Sequence, residues 1–282
     1  MRCQTALPRD ILLQLPTIAK IRASTAVLTL PGTGTTVVRI GERFAVKFGP
    51  HVELREAESM RFVSDHCRNI SLPKVYGTLT DEASGEHFIV MEYIDGDNVE
   101  KLLPSLTKAE KADICRQLKN AVDELRSLPS HGYIGSVGQM PCLNTLFWTP
   151  PPFDASCSVP FDTESEMNKG LLRCLARIES ASYITFLRSL VKPTLRDHRV
   201  CFAHADLQAK NIMITGTLRK VDVGNGGDET RESDVKVHII DWELAEGIPS
   251  TGTFVMHPIS PDSSQPGKIS WAQAWMHTIP ST

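Results

Sequence analysis

Apolar positions in the first third of the chain fall in short runs broken by Gly, Pro and charged residues, and further on they recur at three- and four-residue spacing. Residues 26–48 hold three apolar β-type runs separated by PGTGT and GER, the pattern of a small antiparallel sheet with tight turns, and Lys47 lies in the last of them. In the segment VELREAESMRFVSDHC, Leu54, Met60 and Val63 stand among polar residues at near-helical spacing, which predicts a helix after the sheet. The stretch LPKVYGTLTDEASGEHFIVMEYIDG returns to β character, with DEASGE as a hairpin turn and FIVMEYI as a buried strand ending at Asp95 and Gly96. A sheet with one helix makes one lobe. SLTKAEKADICRQLKNAVDELRSL then carries the strongest helical pattern. Ser105 or Thr107 can cap it, Glu110 completes a capping box with Thr107, and Ile114, Leu118, Val122 and Leu125 line one face.

The second lobe therefore reads as mainly helical. Residues 129–163 are dense in Pro and Gly and predict an irregular connection, and helical spacing resumes over 165–191. Two short β runs, NIMIT and VKVHII, flank the polar, Gly-rich GNGGDETRESD; the runs are expected to pair and the segment between them to be a mobile loop.

Composition changes this picture little. The chain has 282 residues, 41% hydrophobic and 22% charged, enough for one large domain or two lobes. Thirty basic against thirty-three acidic residues leave a formal charge of -3, which gives no overall basic surface for nucleic acid or an anionic membrane. No apolar run approaches a membrane span and the N-terminus has no signal-peptide core, so a cytoplasmic protein is expected. The seven cysteines are scattered, with no C-x-x-C, which fits reduced thiols better than disulfides or zinc.

The chemistry concentrates in HADLQAKNIMI, residues 204–214, and in VHIIDWE. Asp206 is followed five residues later by Asn211 at the start of one β run, and Asp241 ends the partner run, so a hairpin brings three oxygen-bearing side chains to one end. Phosphoryl transfer needs such a set: Asp206 to orient and accept the proton of an attacking hydroxyl, Asn211 and Asp241 to hold magnesium on the phosphates. The spacing H-x-D-x-x-x-x-N, from His204 to Asn211, is that of a kinase catalytic loop.

HADLQAKN together with HIIDWE resembles the aminoglycoside phosphotransferase and choline kinase superfamily, particularly its fungal phosphotransferase-enzyme branch. FAVKFG, LREAESMRFV, LPKVYGTL, FIVMEYIDG, DELRSLPS and HGYIGSVG fall in the order such proteins use, from about residue 35 to 247. The resemblance implies an α+β, two-lobed, protein-kinase-like fold with ATP between the lobes and transfer of the γ-phosphate to a hydroxylated small molecule. The implied organisation is an N-lobe over 1–95, a C-lobe with catalytic loop and metal-binding hairpin over 96–247, and an irregular tail over 248–282. A protein substrate is disfavoured, because IDWE stands where protein kinases carry D-F-G and no A-P-E follows.

Carried over residue by residue, Lys47 matches the lysine that reaches the α- and β-phosphates. Glu56 best matches its helix glutamate and Glu58 competes; two residues turn about 200° around a helix, so only one of them faces Lys47. PGTGTT occupies the place of the phosphate-covering turn. Met91, Glu92, Tyr93 and Ile94 match the linker whose backbone binds the adenine edge, and His204 supports the catalytic loop by hydrogen bonding. Ala205 stands where the antibiotic phosphotransferases usually carry Gly. Beyond Glu243 the expected Gly-aromatic-Pro segment and acceptor-site helices give way to a Pro-, Ser- and Thr-rich stretch with one short helical pattern, WAQAWM.

Blander readings stand beside these. Lys47 can be a strand-edge lysine, Asp206 and Asn211 loop-capping residues, and Asp241 a helix cap. A catalytically silent nucleotide-binding protein and a hydrolase with a metal held by His204, Asp206, His238 and Asp241 are the competing functions.

Overall fold

The structure, a computed structural model, describes residues 15–29, 34–130, 132–143, 147, 154–217 and 234–250. The first three residues of PGTGTT, nearly all of GNGGDETRESD and the whole of WAQAWM lie outside the described residues. The chain forms the expected α+β fold in two lobes.

The N-terminal half opens with a short helix, α1 (Ile18–Arg22), capped by the Thr17 side chain. A four-stranded antiparallel sheet follows, made of β1 (Thr36–Ile40), β2 (Phe44–Gly49), β3 (Val75–Thr80) and β4 (His87–Glu92) in the order β1-β2-β4-β3. The first of the three expected β runs is, over its described residues 26–29, reduced to one bridge, Val27 to Val38; Ile21 and Val38 are buried, but Val27 and Leu28 stay half exposed and have no core to join. Strand alternation sends Val38, Val46, Phe88 and Val90 to one face, where they pack with Ile21 and Tyr76. The opposite face receives α2 (Arg55–His66), whose Ala57, Met60 and Val63 are buried.

Glu92 leads through a linker to β5 (Asp97–Asn98), α3 (Val99–Leu102) and α4 (Lys108–Ser127). Gly96 is required here, because a Cβ at this position would come within 2.2 Å of the Ile214 carbonyl oxygen. The Thr107–Glu110 capping box starts α4, and its buried stripe is Ile114, Leu118, Ala121 and Leu125. Val122, expected on that stripe, is only partly buried. The helical spacing expected over 165–191 is carried by two helices, α5 (Glu164–Leu175) and α6 (Ala181–Thr194), because Ser180 caps a fresh start through the Tyr183 N–H.

Two three-stranded sheets complete the second half. One runs β6-β10-β7, with β6 (Gly135–Ser136), β7 (Val200–Ala203) and β10 (Glu246–Pro249); the other runs β5-β8-β9, with β8 (Ile212–Gly216) and β9 (Val235–Ile239). The NIMIT and VKVHII runs pair as β8 and β9, with Ile212 opposite Ile239. Strand β10 extends two residues beyond the expected C-lobe boundary at 247, to Pro249 opposite Val200. β9 lies at a sheet edge, and Gln117 of α4 answers its backbone by donating to the Val235 carbonyl and accepting from the Val237 N–H. The largest core joins both halves, running from Val52, Ala57 and Val63 through Phe202 and Ile212 to the fully buried Trp242.

Candidate active site

Lys47 sits in the middle of the sheet, on the face of β2 opposite Val46, with its side chain only 6% exposed. A lysine so enclosed needs partners for three N–H donors. Its ammonium has three carboxylates: Glu56 Oε2 at 2.7 Å, Asp241 Oδ1 at 2.7 Å and Glu243 Oε2 at 2.8 Å. Burial favours the neutral amine, but the attraction of the carboxylates outweighs it and the lysine pKa is raised. Glu56, on the first turn of α2, is wholly enclosed. Its pKa is pushed up to about 7 by burial, partly offset by Lys47. Glu58, two residues on, is exposed and plays no part in the pair.

The loop from His204 to Asn211 follows β7. Ala205 adopts φ +62°, the left-handed region in which glycine is favoured and which costs an L-residue roughly 1–2 kcal/mol. That turn directs Asp206 inward, where it is 8% exposed. The Asn211 Nδ2 donates to both the Asp206 carbonyl and Asp206 Oδ2 at 2.9 Å, and the Gln208 side-chain amide donates to Oδ1. With its Nδ2 committed to Asp206, Asn211 keeps its amide oxygen as the group for a cation. The Ile240 N–H donates to the Asn211 carbonyl at 2.9 Å, so the hairpin places Asp241 beside the end of the loop. Asp241 also has a left-handed backbone, φ +67°.

His204 ties these pieces together. Its Nε2 donates to the Ile240 carbonyl at 3.0 Å, its Nδ1 accepts the Asp206 N–H at 3.3 Å, and its ring packs edge-on to Trp242. Both nitrogens serve the backbone in the neutral form, which agrees with a pKa lowered by burial. His238 is equally committed, Nδ1 to the Ser71 hydroxyl and Nε2 to Thr215, each at 2.9 Å. Neither imidazole has a lone pair left for a metal, so the His–Asp set of the hydrolase reading offers no imidazole ligand. Among the described residues the group of three side chains able to share a cation is Glu56, Asp241 and Glu243, with ligand atoms within 4.8 Å of one another.

Glu243 is the site residue that sequence reasoning missed. Its signal is in IDWE itself: Trp242 goes wholly into the core, and the acidic residues on either side of it both reach Lys47. In the linker, Met91 ends up against the main core and Ile94 is buried. The Glu92 N–H donates to the Lys74 carbonyl at 2.8 Å and the Tyr93 N–H to the Arg43 carbonyl at 2.9 Å. The Arg39 guanidinium lies 4.1 Å from the Tyr93 ring centre.

The family model for the phosphotransferase enzyme family matches residues 25–222, more than two thirds of the chain. The chain belongs to the phosphotransferase enzyme family. Solved structures give the same fold. A streptomycin–ATP ternary complex of APH(2'')-IIa aligns with a TM-score of 0.50 at 16% identity, over 88% of this chain and 75% of that one. The ADP-bound aminoglycoside phosphotransferase APH(2'')-Ib aligns at 0.50 and 17%, over 88% and 74%. At such identities the likeness speaks for the fold alone. No curated protein matches. Among the described residues no helix is long and apolar enough to cross a membrane.

Proposed function

We propose that the chain is an ATP- and magnesium-dependent phosphotransferase that moves the γ-phosphate to a hydroxyl of a small molecule. The observation that carries this reading is that Asp241 joins the Lys47–Glu56 pair while the residue before it, Ile240, is hydrogen-bonded to Asn211 of the Asp206–Asn211 loop. In it, 1–95 is the nucleotide-binding lobe and 96–247 the catalytic lobe.

Each residue has one task. Lys47, held by Glu56, neutralises phosphate oxygens. Asp206 orients the acceptor hydroxyl and takes its proton, its carboxylate aimed by Asn211 and Gln208. His204 keeps the loop and the Asp241 strand end in register and takes no proton. The donor set fits magnesium: the Asn211 amide oxygen and the Asp241 carboxylate are hard oxygen ligands and would hold the ion. When bound, that ion neutralises charge on the transferring phosphate. In the linker, the Glu92 and Tyr93 N–H groups are spent on Lys74 and Arg43, so Ile94 is the residue whose N–H is offered to the adenine edge. A hydroxylated acceptor is supported by the fold's use in a streptomycin complex, and its identity belongs to the pocket rather than to the fold.

Calorimetry of Mg-ATP binding, with Lys47→Ala and Asp241→Ala as controls, tests the nucleotide site. Binding by the parent chain that is lost in both variants supports the assignment, and transfer to hydroxylated acceptors is then assayed by ADP release. No binding by a folded parent chain refutes the enzyme reading. Binding without transfer to any acceptor leaves a silent nucleotide-binding relative.

A further inference from the structure

The Lys47 ammonium has three N–H donors, and all three are taken. None is left for a phosphate oxygen. For Lys47 to reach a nucleotide it must release at least one carboxylate, and the three differ in what release costs. The Glu56 side chain is 3% exposed and has nowhere to be hydrated, whereas Asp241 is 29% and Glu243 50% exposed. The solvent-side pair is therefore released and Glu56 retained. The carboxylates set free, Asp241 and Glu243, are the two solvent-side members of the group whose ligand atoms lie within 4.8 Å of one another, and Asp241 is the one that stands beside Asn211 in the proposed function.

We infer that Lys47 is the resident cation of the Glu56–Asp241–Glu243 cradle, and that a divalent ion enters only as phosphates draw the ammonium off Asp241 and Glu243. This rests on the proposed function and adds an order of loading to it. Glu243 is a positioning residue in this scheme: from the solvent side it holds the Lys47 ammonium until phosphate competes for it. Phosphate and divalent ion then help each other through the protein as well as by direct contact, a reciprocal coupling.

The test is a Mn2+ titration without nucleotide, following the paramagnetic resonance signal of free Mn2+. The parent chain is expected to bind weakly, and Lys47→Met about tenfold or more tighter, within the usual range of such couplings. Lys47→Arg keeps the charge and is expected to stay as weak as the parent. Lys47→Met with Asp241→Asn is expected to lose the gain. If Lys47→Met does not fold, as judged by circular dichroism, the Lys47→Met/Glu56→Gln variant removes the buried negative charge and carries the same test through Asp241 and Glu243.

Equal Mn2+ affinity in the parent and in a folded methionine variant overturns the inference. AMP-PNP binding to the parent, measured alongside, keeps the two ideas apart. Nucleotide binding with unchanged Mn2+ affinity refutes the cradle and leaves the proposed function standing. Tightened Mn2+ binding in a chain that takes no AMP-PNP supports the cradle and refutes the nucleotide site.

Discussion

Lys47→Met should destabilise the protein by an amount that grows with pH, and the structure says where the growth begins. Glu56 is enclosed, and its pKa stands at about 7 even with the ammonium 2.7 Å away. In the unfolded chain a glutamate titrates near ~4.3. Because the folded pKa is the higher, the folded state holds the extra proton between the two values, and stability falls as pH rises through that window. In the parent the fall stops near pH 7, once Glu56 is ionised in both states. Removing Lys47 takes away the main influence lowering the Glu56 pKa, so in the variant the fall continues above 7. Each further pH unit costs about 1.4 kcal/mol. The difference between parent and variant should therefore be nearly constant below pH 7 and larger at pH 8.5 than at pH 6, by up to about 2 kcal/mol. Urea unfolding at those two pH values reads it directly. Lys47→Met/Glu56→Gln should show no such growth. A parent-to-variant difference that is the same at both pH values would refute the argument that Glu56 depends on Lys47 for its charge.

Three further outcomes follow from single contacts. Asp206→Ala should lower turnover by roughly 10²–10⁴-fold while leaving nucleotide affinity nearly unchanged, as single-turnover assays and calorimetry can separate; turnover like the parent's would remove Asp206 from the role of base. Trp242→Ala empties the joint core and deletes the Nε1–H bond to the Ile239 carbonyl at 2.9 Å. It should cost about 3–5 kcal/mol in thermal or urea unfolding, and a loss under 1 kcal/mol would mean the site rests on other packing. Thr107→Ala removes the capping box of α4 and should cost about 1 kcal/mol, measurable as a lowered unfolding midpoint with activity intact.

Much of this was legible wherever one local rule decided the matter. The family resemblance offered Glu56 and Glu58 as partners of Lys47 and helical geometry allows only one of them to face the strand; the structure places Glu56 on the ammonium and Glu58 in solvent. The capping box at Thr107 and the β8–β9 pairing are local in the same sense. Failures came where a segment depends on distant packing. Residues 26–29 have strand-like composition, yet they form one bridge, and Val27 and Leu28 stay half exposed because they find no second layer. The break between α5 and α6 was signalled by Ser180, an N-cap inside a pattern that spacing alone reads as continuous.

Glu243 marks a different limit. Its contact with Lys47 joins residues 196 positions apart, and it exists because Trp242 is pinned from three sides: by the core, by the Ile239 carbonyl and by the His204 ring. Sequence spacing assigns a role to Asp241 from the end of a β run, but it cannot say which neighbour shares that role until the burial of Trp242 is known. The same dependence explains His204, whose importance lies in two backbone partners rather than in any reacting atom. Residues that react are chosen by chemistry and show in a motif. Residues that hold them in place are chosen by packing, and at this site both kinds lie within the same few positions of H-A-D and D-W-E.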